Sequence, residues 1–198
     1  ATITGTAYRA GDMIRWRVEA ADDRGAFTRS PRMDEPESAA WYGTIATTNV
    51  NTTLPVLEWF VEDPAAARTD IGTSASVFFN GQFYDNILVR RRGLSTLGWA
   101  KNKFKFDFNP GDHFRYDPEQ PRVEEFNLQS HFREIGPVSY MRENLGFAWL
   151  NEAGVDAPHT FHLHLRQNGT FYGLYSFVEQ VDDTFLMRTG NDDDSVMY

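Results

Sequence analysis

The only three lysines of the chain fall at every second position, as Lys101, Lys103 and Lys105. On a β-strand that spacing puts the three ammonium groups on one face and Phe104, Phe106 and Phe108 on the other. Two readings stay open from residue types alone. The lysines form a solvated outer face over an aromatic core, or they form a cationic face aimed at phosphate, with Arg90 and Arg92 added from the preceding strand. A second cluster, His159, His162 and His164, has a spacing at which the last two share a strand face and could ligate zinc. Leu163 and Leu165 claim the buried face there and no fourth ligand lies near, so no metal site is assigned. Asp192, Asp193 and Asp194 follow Gly190 and read as a solvated acidic loop. The chain carries no nucleophile elbow, no P-loop and no HExxH motif. Zero cysteines exclude disulfides, thiol nucleophiles and Cys-ligated metals.

The elements that must position these residues are mostly strands. Ile14, Trp16 and Val18 alternate at period two, and residues 54–61 form a dense apolar run that reads as a buried strand. Ile87 to Arg92 and Lys101 to Phe108 are two further strands. Asn80-Gly81 and Asn168-Gly169 each sit between β-formers and each precede a Phe-Tyr pair, which signals two tight hairpins. His162 to Leu165 and Leu174 to Val178 complete the strand set. One main helix is signalled by Ser139 as N-cap, by Met141, Leu145, Ala148 and Trp149 on one face, and by Gly154 as a stop. A second helix runs from Val181 to Arg188, with Asp182 and Asp183 in its first turn. The expected fold class is therefore α+β, an antiparallel sheet carrying one main helix.

Across 198 residues the net charge is −9. That argues against a broad basic face for nucleic acid, and no apolar run approaches the ~18 residues of a membrane span. Pro31, Pro36, the acidic patch of Asp34, Glu35 and Glu37, and a Thr/Asn run to Thr53 mark a linker interrupted by a short strand at 41–45.

Three blocks resemble one family. Val89-Arg90-Arg91-Arg92-Gly93-Leu94-Ser95 followed by Trp99-Ala100-Lys101-Asn102-Lys103-Phe104 resembles the Arg-Gly…Ser…Pro-Lys-Lys-Ser-Tyr signature of the spore-coat protein H (CotH) kinase family. Ser139-Tyr140-Met141-Arg142-Glu143-Asn144-Leu145 is similar to its Leu-Arg-Asn-Lys-Leu helix, and residues 165–182 to its Asn-Gly-x-Tyr-x-Gly-x-Tyr-x-x-x-Glu-x-x-Asp block. Ala100 stands where the family has proline, and Asn102-Lys103 replaces the Lys-Ser pair, which leaves open which lysine is functional. The resemblance implies an atypical kinase fold that binds ATP with Mg²⁺ and phosphorylates protein serines, extracellular or at the cell surface. By motif it makes Lys101 the phosphate-contacting lysine, with Arg92 in support. Arg142 and Glu143 fall on the positioning helix, Glu143 as ion-pair partner, and Val178 and Glu179 at an adenine-facing hinge. No catalytic residue is assigned. The implied organisation is the end of a β-sandwich-like domain (1–33), a linker (34–53), a kinase small lobe (54–182) and the start of a truncated second lobe (183–198), inactive alone. The alternative is a non-catalytic surface, coat or filament interaction module on the same fold, its partner another protein.

Overall fold

The computed structural model describes residues 4, 5, 7–32, 38–46, 49–132 and 139–192. The acidic patch at Asp34, Glu35 and Glu37, and Asp193 and Asp194 of the terminal acidic run, lie outside the described residues. Eleven strands and two helices follow one another: β1 (Met13–Trp16), β2 (Val18–Ala21), β3 (Phe27–Ser30), β4 (Tyr42–Ile45), β5 (Val56–Val61), β6 (Thr73–Phe79), β7 (Gln82–Arg92), β8 (Lys103–Asp107), β9 (Glu125–Gln129), α1 (Arg142–Glu152), β10 (Thr160–Gln167), β11 (Thr170–Glu179) and α2 (Asp183–Thr189).

Seven of the strands close into a barrel in the order β10-β11-β9-β8-β7-β6-β5. All its pairings are antiparallel except the closing one, where β5 runs parallel to β10 with Val56 opposite His164 and Trp59 opposite Gln167. The expected α+β small lobe, an antiparallel sheet with one main helix, is thereby corrected: the described residues are predominantly β, with two short α-helices of 11 and 7 residues among them. Two features of the sequence concealed this. Glu125–Gln129 is a short strand whose alternation, Phe126 and Leu128 inward, covers too few residues to stand out. The closing pair joins segments more than a hundred residues apart, and local periodicity carries no information on such a partner.

Closure gives every inward side chain a dry destination. Trp59, Phe79, Tyr84, Phe104, Phe106, Phe126, Tyr175 and Phe177 are all buried, and Phe114, from the connection between β8 and β9, fills the space between them. Phe106 and Phe126 stack with centroids 5.0 Å apart, and Phe114 lies 4.6 Å from Phe126. Each such side chain contributes roughly 1.5–3 kcal/mol by leaving water, so the aromatic fill is the dominant stabilising term.

The two Asn-Gly hairpins both form, with positive φ at Asn80, Gly81, Asn168 and Gly169. Only the second also helps to close the barrel. Asn168 Oδ1 accepts from the Val61 N–H and its Nδ2 donates to the Val61 carbonyl, both at 2.9 Å, which extends the β5–β10 ladder by one side chain. At the other flank β1 pairs with β4, and Gly43 of β4 lies so close to the Phe83 ring of β7 that a Cβ there would meet it at 2.3 Å.

Helix α1 starts later than its sequence suggests. Met141 occupies the N-cap position and Ser139 Oγ accepts the Met141 N–H at 3.2 Å. The apolar face read from the sequence points away from the barrel: Met141, Leu145 and Trp149 are exposed, and Asn144 is the buried residue. Helix α2 follows its signals, with the Asp182 side chain accepting from the Phe185 N–H and Gly190 in the left-handed conformation at its end. Among the described residues no helix is long and apolar enough to cross a membrane.

Candidate functional site

The outer face of β7 and β8 gathers most of the basic side chains singled out in the sequence. Arg92 lies opposite Lys103 and Arg90 opposite Lys105. The three lysines then part company. Lys105 is ion-paired to Glu125 and lies 3.7 Å from Asp107, which also takes Arg90 at 3.3 Å. Lys103 stands over the Trp99 ring at 5.6 Å and shares the field of Arg92 and Glu143. Lys101, two residues before β8, crosses to β11. Its Nζ donates to the Leu174 carbonyl at 2.5 Å, 4.4 Å from the Tyr175 ring centre and 5.7 Å from that of Tyr140. Gly173 lies beside the crossing, where a Cβ would stand in ordinary contact with the Lys101 stem at 3.4 Å.

Burial acts on all three members of the unpaired group. It pushes the Lys101 ammonium down to about 8, with no charged neighbour to offset it. It also lowers Lys103 and Arg92, and in both cases Glu143 pulls partly back. Burial thus weighs on three neighbouring cations, Glu143 offsets it in part at Lys103 and Arg92 but not at Lys101, and none of the three makes an ion pair among the described residues. A phosphate chain is the kind of group that such a set can hold.

Glu143 is held by a polar layer between α1 and the barrel. Gln129 Nε2 donates to Glu143 Oε1 at 3.1 Å, and His131 Nδ1 lies 3.9 Å from Oε2. Ser176 Oγ donates to Asn144 Oδ1 at 2.9 Å, so it accepts from His131 Nε2–H at 2.7 Å. Asn144 Nδ2 in turn reaches His162 Nδ1 at 3.4 Å, which leaves His162 Nε2–H to donate to the Tyr140 carbonyl at 2.5 Å. The layer has one direction throughout, and it fixes the first turn of α1 over β10 and β11. His131, Gln129, Asn144 and Ser176 were not singled out as site residues by sequence. The one signal was a polar Asn144 in the middle of a short helix.

The remaining expected residues lie elsewhere. Arg142 opens α1 and is exposed. Val178 sits inside the sheet between Thr160 and Asn127. Glu179 is buried in a bidentate pair with Arg188, at 2.8 and 2.7 Å, and also accepts the His159 N–H at 2.9 Å. Of the histidines, His159 bonds Tyr116, His162 belongs to the polar layer, and His164 stands against Phe171. Among the described residues no three His, Asp or Glu side chains converge. A cavity of about 480 Å³ opens between β1 and the β6–β7 hairpin. Its buried carboxylate, Asp85, is already taken by Ser76 Oγ and the N–H groups of Ala40 and Trp41, so it ties the N-terminal strands to the barrel.

These elements define a β protein: a closed seven-stranded barrel with one short helix docked against β10 and a group of basic side chains close by. A protein-family model described as CotH kinase protein matches residues 89–198, which is more than half of the chain and takes in the whole cluster. The chain belongs to the CotH kinase protein family. A comparison with curated proteins finds no match.

Proposed function

We propose that this CotH-family chain binds ATP with Mg²⁺ through Lys101, Lys103 and Arg92, and that it serves the transfer of phosphate to protein serines outside the cytoplasm. The observation that supports the reading is the incomplete compensation of the cluster: among the described residues burial lowers Lys101, Lys103 and Arg92 without an ion pair to any of them, in a chain of net charge −9. The phosphates would supply the missing negative charge, and Glu143, held by Gln129, offsets part of the burial of Arg92 and Lys103 meanwhile. Bound Mg²⁺ offsets charge on the terminal phosphates during phosphoryl transfer. No described residue is assigned to hold it. Titration of the chain with MgATP tests the proposal. Lys101→Ala, Lys103→Ala and Arg92→Ala should each weaken binding by about tenfold, the scale of one charge-assisted hydrogen bond, while Lys105→Ala changes it little. Equal losses at all four positions, or no saturable binding, would overturn it. Phosphotransfer is checked with radiolabelled ATP and a serine-rich protein substrate.

One observation favours a second reading, that of a surface, coat or filament interaction module. Trp149 is 68% exposed on the outward apolar face of α1. That reading expects no MgATP affinity, and a concentration-dependent association that Trp149→Glu abolishes.

A further inference from the structure

A second cavity, of about 430 Å³, lies at one mouth of the barrel, where β5 and β10 begin and β6 ends. Its lining includes one end of the aromatic core: Phe161, which is half-buried, and Phe79 and Tyr116, which are buried beside it. Phe161 is roughly parallel to both of the others, at 29° and 27° with centroids 6.4 Å apart in each case. Ala148 and Asn151 of α1 form one wall. The site shares no residue with the cationic cluster.

Its polar side is set by one hydrogen bond. Tyr116 Oη and His159 Nδ1 are 2.9 Å apart. Burial and the charge of Glu179 push the Tyr116 phenol up, so it keeps its proton, and burial followed by Arg188 pushes the His159 imidazole down, so it stays neutral. The phenol is therefore the donor and Nδ1 the acceptor, which places the ring proton of His159 on Nε2. That N–H has no partner among the described residues, and His159 lines the cavity. Asp117 at the rim disfavours anions.

We propose that this mouth binds a small, uncharged, planar heteroaromatic molecule, its ring lying on Phe161 and a ring nitrogen accepting from His159 Nε2–H. An aromatic-lined cleft of this size at a barrel mouth, with one oriented donor, has the build of a small-molecule site. The site is independent of the ATP reading.

Benzimidazole and indole separate the terms, since they share size and shape but only benzimidazole carries an unprotonated ring nitrogen. Binding is followed by ligand-observed NMR and calorimetry on the full chain. Benzimidazole should bind at roughly millimolar or tighter, and about fivefold tighter than indole, the scale of one neutral hydrogen bond. His159→Phe should erase the difference. Ala148→Trp, at an exposed helix position that fills the cavity without touching the core, should abolish both. Absence of saturable binding, indole binding as tightly as benzimidazole, or undiminished binding to the Ala148→Trp variant would each overturn the proposal.

Discussion

Two charge clusters lie side by side on the outer face of β7, β8 and β9, and they are built in opposite ways. Toward the far end of β8, Arg90 and Lys105 meet Asp107 and Glu125, two cations against two carboxylates within ion-pair distance. Two positions away on the same strands, Lys103 and Arg92 feel Glu143, Arg92 feels Glu125 more weakly, and the neighbouring Lys101 has no charged group to offset its burial. The first cluster needs nothing further. The second holds positive charge that burial penalises and that the described residues neutralise only in part, a cost to stability that the proposed phosphate ligand would offset.

The largest test of this contrast is to remove the uncompensated charge. Folded Lys101 gives up its proton at about 8, whereas the unfolded chain holds it to ~10.4, so below that window protonation favours unfolding. Lys101→Met should therefore raise stability by roughly 2 kcal/mol at pH 7, after allowance for partial exposure. The gain should shrink as pH rises from about 8 and vanish above ~10.4. Urea denaturation across that range checks it, and a destabilised variant at pH 7 would place Lys101 in the structural class with Lys105.

Sequence made part of this contrast legible and hid the rest for a physical reason. Period-two spacing separated Lys103 and Lys105 from Phe104 and Phe106, and the structure keeps that division. The Asn-Gly pairs marked both hairpins, because few other dipeptides tolerate positive φ twice. What separates one lysine from the next is supplied by distant strands: Glu125 on β9 for Lys105, and Leu174 and Tyr175 on β11 for Lys101. Neither those partners nor the parallel β5–β10 closure leaves a local periodic trace. The helix misled in a more instructive way. Its heptad-like stripe of Met141, Leu145 and Trp149 reads as a core face, yet α1 docks through Asn144 and the polar layer.

That polar layer holds Glu143, which acts on Lys103 and Arg92, so loosening it sharpens the comparison. Asn144→Ala strips Ser176 and His162 of their partner and should cost about 1.5 kcal/mol, read from thermal or urea unfolding. A smaller effect follows from removing the Glu143 carboxylate itself. Glu143→Gln keeps the side-chain bond to Gln129 within reach but takes from Lys103 and Arg92 the carboxylate that offsets their burial, and should cost about 1 kcal/mol or less. Inorganic tripolyphosphate should then raise the melting temperature of the variant by more than that of the parent. An equal rise in both would mean that Glu143 does not face the anion site.

The smallest expected effect belongs to the balanced cluster. Burial first, and then the hydrogen bond to Asp107, push the Glu125 carboxyl up, while Lys105 pulls it down. Asp107→Asn removes one negative charge, which relieves Glu125 of that neighbour, but it also deprives Arg90 and Lys105 of a partner. These changes oppose each other on half-exposed groups, so the net change in stability should be about 0.5 kcal/mol or less. Because Lys105 remains paired with Glu125, the substitution frees no cation for phosphate. Tripolyphosphate affinity, measured by calorimetry at low salt, should therefore match that of the parent within about twofold, less than the worth of a single surface ion pair. A marked gain in affinity would show that the two clusters act as one cationic face, and the contrast between them would fall.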